Sequence, residues 1–332
     1  MRVLITGATG FVGANLVEAV TARGWIARAL RRKTSSLKAL EGLTYESAIG
    51  DVTEPDALRE AMRDVDAVFH VAAVADYWRL DDVSRMMHVN VEGTRNVLAA
   101  AREAGVKRVV FTSSVAALGT SPNGAMLNET AQFTQKPEAF YYGWSKVLAE
   151  RVAAEFVQNG LDVVTVNPVV VLGPRDVNLI SGSIILEAAK MIMPFVPPGG
   201  VCMIDVADVC AGHIAAFEKG RAGERYILGG DNLSYREIIQ TVTKAVGGRF
   251  IPITPPRGVV KALAAPVRFG RTRLGLKLPV DDSQIRNMAE TLWFDSGKAR
   301  RELGLVTRPF AETVDRTRDW YAANGYMKIR AR

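Results

Sequence analysis

The chain opens on a short apolar run, Arg2-Val3-Leu4-Ile5-Thr6, that passes into Gly7-Ala8-Thr9-Gly10-Phe11-Val12-Gly13 and then into a helical pattern. A strand that feeds a glycine turn into a helix offers a pyrophosphate bare backbone N–H groups and a helix N-terminus. Gly7 lets the chain turn sharply, Gly10 clears space where phosphates must approach, and Gly13 lets the helix lie close against the strand. The segment therefore predicts a dinucleotide site, with Thr9, Phe11 and Val12 among the residues that form it. The spacing is GxxGxxG rather than GxGxxG, which narrows the kind of dinucleotide fold.

Strands and helices then alternate. Val12 to Arg23 reads as an amphipathic helix stopped by Gly24, Trp25 to Leu30 as a second strand and Tyr45 to Ile49 as a third. Glu54-Pro55-Asp56 has the acids and proline of a helix start. Ala67 to Ala73 is a continuous apolar run, the mark of a buried parallel strand. A helix from about Asp81 to Ala104, a strand at Arg108 to Thr112, a helix from Tyr141 to Gly160 and a strand at Asp162 to Asn167 complete the pattern. Such units with short links predict an α/β fold, a right-handed doubly wound parallel sheet (Rossmann fold) over residues 1–168. Beyond Pro168 the alternation weakens, and Pro194, Pro197, Pro198, Gly199 and Gly200 break the chain. Residues 169–332 are expected to form mainly a smaller, mixed α/β substrate lobe, with some segments returning to the first domain.

Composition narrows the function classes. With 332 residues and 48% hydrophobic content, the chain suits one large domain or a large and a small one. Cys202 and Cys210 are too few and too far apart for a zinc or redox pair, and three histidines argue against a metal centre. The first strand begins at once, which leaves no room for a signal peptide, and no apolar stretch approaches the ~20 residues that span a bilayer. A cytoplasmic protein with no metal is expected. The net charge of +7 is uneven: Arg257, Lys261, Arg268, Arg271, Arg273 and Lys277 fall in a stretch with no acid. A solvated helix and loop is the preferred reading of 257–277, ahead of contact with an anionic membrane or an acidic substrate. No nucleic-acid module accompanies the charge.

The second strand bears on the cofactor. An acid about 20 residues past the glycines would accept the adenine-ribose 2′-OH, yet this chain has Leu30-Arg31-Arg32-Lys33 there. A guanidinium at Arg31 suits a 2′-phosphate, so NADP is expected over NAD, with cations merely facing solvent as the alternative. Asp51 and Val52 are placed for the adenine edge, and Ala72 and Ala73 for the ribose.

Tyr142-Gly143-Trp144-Ser145-Lys146 opens a helix, which sets Tyr142 and Lys146 on one face. A fixed ammonium beside a phenol favours the phenolate and makes a proton-transfer pair. Ser113 and Ser114 follow the fifth strand, where a hydroxyl can polarise a carbonyl. Taken alone the spacing also fits a core or interface tyrosine. The glycine turn upstream and the serines between favour chemistry.

Gly7-x-x-Gly10-x-x-Gly13, Asp51-Val52, Asn90-Val91-Glu92-Gly93-Thr94, Thr112-Ser113-Ser114, Tyr142-x-x-Ser145-Lys146 and Asn167-Pro168 together resemble the extended short-chain dehydrogenase/reductases. Tyr226-Ile227-Leu228-Gly229-Gly230 and Trp293-Phe294-Asp295-Ser296 are similar to the dihydroflavonol-4-reductase-like branch, which includes hopanoid-associated sugar epimerases. The resemblance implies a Ser/Tyr/Lys catalytic set, with Ser114 matching better than Ser113. It also implies that Lys146 meets the nicotinamide ribose, that Asn90 supports the site, that Pro168-Val169-Val170 runs beside the nicotinamide, and that homodimers form through two long helices. Asp205 stands where this branch often has histidine, which puts any inherited substrate in doubt.

Several polar and apolar residues have two readings. His70, His88 and His213 read as structural. Arg175 suits either an anionic substrate or an interlobe salt bridge. Trp78 and Tyr77, with Met191, Met193 and Phe195, suit either a bulky apolar pocket or ordinary packing. Three functions compete: an NADP-dependent reductase of a fairly hydrophobic small-molecule ketone, a nucleotide-sugar epimerase or dehydratase with tightly held NAD(P), and a dinucleotide sensor without chemistry.

Overall fold

The computed structural model describes residues 1–75, 82–120, 124–190, 196–248, 253–276, 282, 285 and 288–328. The first half runs β1 (Arg2–Thr6), α1 (Phe11–Ala22), β2 (Ile26–Arg31), β3 (Glu46–Ile49), α2 (Pro55–Ala61), β4 (Ala67–His70), α3 (Val83–Met87), α4 (Gly93–Glu103) and β5 (Arg108–Thr112). α5 (Tyr141–Gln158), β6 (Val163–Pro168), β7 (Val170–Leu172), α6 (Ser183–Ala189), β8 (Gly200–Asp205), α7 (Val206–Lys219) and β9 (Arg225–Leu228) follow. The chain closes with β10 (Asp231–Ser234), α8 (Tyr235–Ala245), α9 (Arg257–Arg273), β11 (Thr291–Leu292), α10 (Gly297–Leu303) and α11 (Phe310–Ala323).

Seven strands form one parallel sheet in the order β3-β2-β1-β4-β5-β6-β9. β4 and β6 are buried at every position, as a sheet covered on both faces requires. One face packs Leu16, Val17 and Val20 of α1 and Val206, Val209 and Ile214 of α7; the other packs Leu58, Val97, Leu98, Ala149 and Val152 from α2, α4 and α5. The strand order reverses between β1 and β4, so the crevice at their carboxyl ends is the expected place for a ligand.

The second half divides its elements between two sheets. β9 pairs with β6 and completes the large sheet, and α7 lies against α1, so residues 206–228 build on the first lobe. β7, β8, β10 and β11 form a smaller mixed sheet, with β10 antiparallel to β8. Its core joins Leu172, Ile185, Met203, Ile238, Val242, Val314 and Tyr321. A capping box between Ser234 and Glu237 starts α8. Among the described residues no helix is long and apolar enough to cross a membrane.

Candidate active site

The glycine turn has the backbone its sequence demands. Gly7 has φ +68°, and a Cβ there would lie 2.8 Å from the Ala72 backbone, so β1 and β4 meet too closely for any side chain. A Cβ on Gly13 would overlap the Gly7 carbonyl and lie 2.7 Å from its carbon, which is how α1 comes to rest on the turn. Gly10 caps α1 without a side-chain hydrogen bond, and no acid occupies the first turn. The N–H groups of Phe11, Val12 and Gly13 thus begin a helix whose positive end is left to a ligand. A dinucleotide pyrophosphate fits this cradle. Thr9, Ala72 and Ala73 are partly exposed around it, and Thr6 Oγ1 accepts from Val71 N and Ala72 N (3.1 Å each) to shape its rim.

Arg31 ends β2 next to that crevice. Its Nε donates to Ser47 Oγ at 2.8 Å, and among the described residues no carboxylate pairs with it. Arg32 lies 3.9 Å from Asp51, whose Oδ1 is otherwise held by Thr53 N and Thr53 Oγ1. Val52 is buried, with the Cα of Gly93 packed close to its side chain.

α5 carries the chemistry-bearing face. Tyr142 is buried in its first turn, its ring edge-on to Phe140 at 6.2 Å. One turn on, Lys146 is buried and donates from Nζ to Thr112 O at 3.0 Å, which fixes it to the end of β5. Burial pushes the Lys146 ammonium down to about 8, against the opposing pull of Glu150. Gly143 explains how α5 reaches this far: a Cβ there would lie 2.7 Å from Ala116 O, in the turn directly after Ser114. Ser114 caps that turn, and its Oγ accepts from Ala116 N at 3.1 Å. Its hydroxyl hydrogen has no acceptor among the described residues. Ser113 Oγ instead donates to Glu150 Oε1, two turns along α5 from Tyr142.

A relay of neutral groups positions this face. Thr94 Oγ1 donates to Asn90 O, so it accepts from His70 Nε2 at 3.0 Å. Thr6 Oγ1 already accepts two amides and therefore donates to His70 Nδ1 at 2.8 Å. His70 is thus neutral and protonated on Nε2; burial drives its pKa down to about 3, with the Lys146 charge adding to the shift. Asn90 lies in a π-helical turn, His88–Glu92, between α3 and α4. Its side chain clamps Val74 through both amide atoms (2.8 and 3.0 Å) and donates to Ser145 Oγ at 2.9 Å, and Ser145 Oγ donates to Tyr142 O at 2.7 Å. On the opposite side His213 Nδ1 donates to Val209 O and Nε2 accepts from Thr112 Oγ1, each at 2.8 Å, and burial lowers its pKa to about 4.

Asp205 and Arg175, weak candidates for substrate contact, both make contacts between elements of the protein. Asp205 is buried as the N-cap of α7, accepting from Ala207 N at 2.7 Å, and pairs with Arg316 at 2.6 Å and Arg308 at 3.4 Å. It holds α7 to α11 and leaves no carboxylate oxygen for a substrate. Its helix-start signal, an aspartate followed three residues later by Asp208, was present in the sequence. Arg175 pairs with Glu18 at 3.1 Å and donates to Ala39 O and Glu41 O, which is the salt-bridge alternative rather than a substrate contact. Pro168 is buried at the end of β6, and Val170 is exposed at the start of β7. Trp78, Tyr77, Met191, Met193 and Phe195 lie outside the described residues.

Glu150 is the residue that sequence reading passed over. It continues the Tyr142, Lys146 spacing by one more turn, and it accepts from Ser113 Oγ and Asn167 Nδ2 while pairing with Arg225 at 3.0 Å. Asn167 also donates to Ser114 O at 2.9 Å, so this cluster is joined to the turn that carries Ser114.

Known proteins resemble the chain over nearly its whole length. Residues 3–229 match the model of the NAD dependent epimerase/dehydratase family. The chain is 35% identical to a putative dihydroflavonol 4-reductase of Synechocystis, over 98% of this chain and 95% of that protein. It is 36% identical to sterol demethylase protein B of Methylococcus capsulatus, over 98% of this chain and all (100%) of that protein. The crystal structure of gox2253 superposes with a TM-score of 0.87 at 35% identity, covering 98% of this chain and 99% of the other. The chain belongs to the NAD dependent epimerase/dehydratase family, within the extended short-chain dehydrogenase/reductases.

Proposed function

We propose that this protein is an NADP-dependent oxidoreductase that interconverts a ketone and a secondary alcohol on a fairly hydrophobic small molecule. The reductase relatives support the oxidoreductase class. Relatives named for a dihydroflavonol and a sterol support an apolar carbonyl compound. The Gly7–Gly13 turn, the start of α1 and Lys146 would hold a nicotinamide dinucleotide, which when bound would supply hydride chemistry in either direction. Ser114 donates its hydroxyl hydrogen to the carbonyl oxygen and polarises the bond. Tyr142 gives that oxygen its proton as the carbon gains hydride, and takes it back in oxidation. Lys146 holds positive charge one turn from the phenol, and favours the phenolate left when the proton departs. Asn90 and Ser145 fix the turn of α5 from which Tyr142 projects.

The single observation carrying the NADP reading is Arg31, a cation at the end of β2 with only a serine for a partner among the described residues. A 2′-phosphate there would meet a guanidinium that no carboxylate among the described residues already pairs. Titration of the purified protein with NADPH and NADH tests this, and NADPH is expected to bind more tightly. Arg31→Asp should invert the order; NADPH affinity unchanged in that variant refutes the charge argument. The epimerase or dehydratase reading rests on the family description, and tightly retained NAD in the purified protein would favour it.

A further inference from the structure

We propose that α9 docks this protein on an anionic lipid surface. Val260 and Ala264, with the half-buried Val267, turn the buried side of α9 toward the protein. Val259, Leu263, Pro266 and Phe269 fall at i, i+4, i+7 and i+10, a single helical stripe, and all four are exposed. Val259 is 51%, Leu263 49% and Phe269 58% exposed, and Leu274 and Leu276 continue the apolar surface past the helix end at 61% and 49%. A merely solvated helix gives no reason for large apolar side chains to repeat at this spacing.

Charge selects the occupant. Residues 257–276 carry Arg257, Lys261, Arg268, Arg271 and Arg273 with no acid. Arg257, Lys261 and Arg268 lie at i, i+4 and i+11 on a flank between the buried and exposed stripes. Lys261 pairs with Glu290 at 2.6 Å, while the four arginines have no ion pair among the described residues. An apolar stripe bordered by cations is the pattern of a helix that lies in a bilayer interface, with its apolar side in the acyl boundary and its cations among lipid phosphates. A second copy of this chain is a poorer occupant, because a two-fold contact through α9 would set the cationic stretch against itself.

Sedimentation with vesicles of phosphatidylcholine, with and without phosphatidylglycerol, tests the proposal on the full-length protein. Binding is expected to the anionic vesicles only, and to weaken as salt rises. Each cation near the surface contributes about fivefold in affinity, so Arg257→Glu with Arg268→Glu should weaken binding at least ~20-fold. Leu263→Asp with Phe269→Asp should abolish it. Both pairs are exposed or half-exposed, and unchanged circular dichroism and thermal midpoint confirm that the variants fold. No sedimentation with either vesicle overturns the proposal, as does equal binding to both. Variants that sediment like the parent remove α9 from it. If the Leu263/Phe269 variant instead converts an oligomer to a monomer, with no vesicle binding by the parent, the stripe is an interface between copies and the proposal fails.

Discussion

Two buried neutral histidines should make the fold acid-labile well above the carboxylate range. His70 and His213 have folded pKa values pushed down to about 3 and about 4, from 6.5 for a free imidazole, chiefly by burial. Because the folded pKa is depressed, the unfolded chain takes up protons below pH 6.5 while the folded chain does not. Stability is therefore complete above 6.5 and is lost as pH falls toward 4 and then 3. At pH 5 each histidine sits about 1.5 units below its unfolded pKa, which amounts to about 2 kcal/mol each and about 4 kcal/mol together. Urea unfolding followed by tryptophan fluorescence at pH 7, 6 and 5 measures this. His70→Gln breaks the contacts to Thr6 and Thr94 and lowers stability at pH 7, yet it should halve the loss between pH 7 and 5. His213→Asn should halve it independently, since the two rings share no hydrogen-bond partner. A pH dependence that survives both substitutions intact refutes the neutral-relay account.

Other expectations follow from single contacts. Gly13→Ala forces a Cβ into the Gly7 carbonyl and should cost about 2 to 3 kcal/mol by overpacking, with loss of dinucleotide binding by isothermal titration. Retained affinity would show that α1 can shift without opening the cradle. With Lys146 at about 8, activity should fall as pH rises through that value, where the ammonium loses its proton. Glu150→Gln removes the anion that holds Lys146 up, so the alkaline limb of the pH–rate profile should move to lower pH. An unmoved limb in that variant separates Glu150 from the lysine.

The large sheet was legible because β1, β4, β5 and β6 are local, mostly apolar runs bounded by turns, and β5 falls at the expected residues, Arg108–Thr112. β4 ends at His70, short of the apolar run through Ala73, because the backbone leaves the ladder where Thr6 and Asn90 take over its amides. The return of β9 to the large sheet was not legible as a pairing: four residues, Arg225–Leu228, cannot announce a partner some sixty positions earlier, because register depends on the fold around them. The helix expected over 81–104 holds a π-helical turn at 88–92, an extra residue per turn that leaves no trace in side-chain periodicity. Tyr142 and Lys146 were readable because helical spacing alone sets them on one face. Glu150 belongs to the same spacing, but only the folded sheet brings Asn167 and Arg225 to it. Asp205 and Arg175 were ambiguous for a common reason: a charged residue beside a lobe boundary looks the same in sequence whether it meets a ligand or the other lobe.

The proton-transfer role of Tyr142 is the central claim, and Tyr142→Phe tests it with one oxygen removed and the ring retained. Once a carbonyl screen with NADPH has identified a compound that the parent protein reduces, turnover and dinucleotide affinity are measured for both proteins. The account predicts that turnover falls by about 100-fold or more while NADPH affinity is nearly unchanged. Turnover equal to the parent's would contradict it.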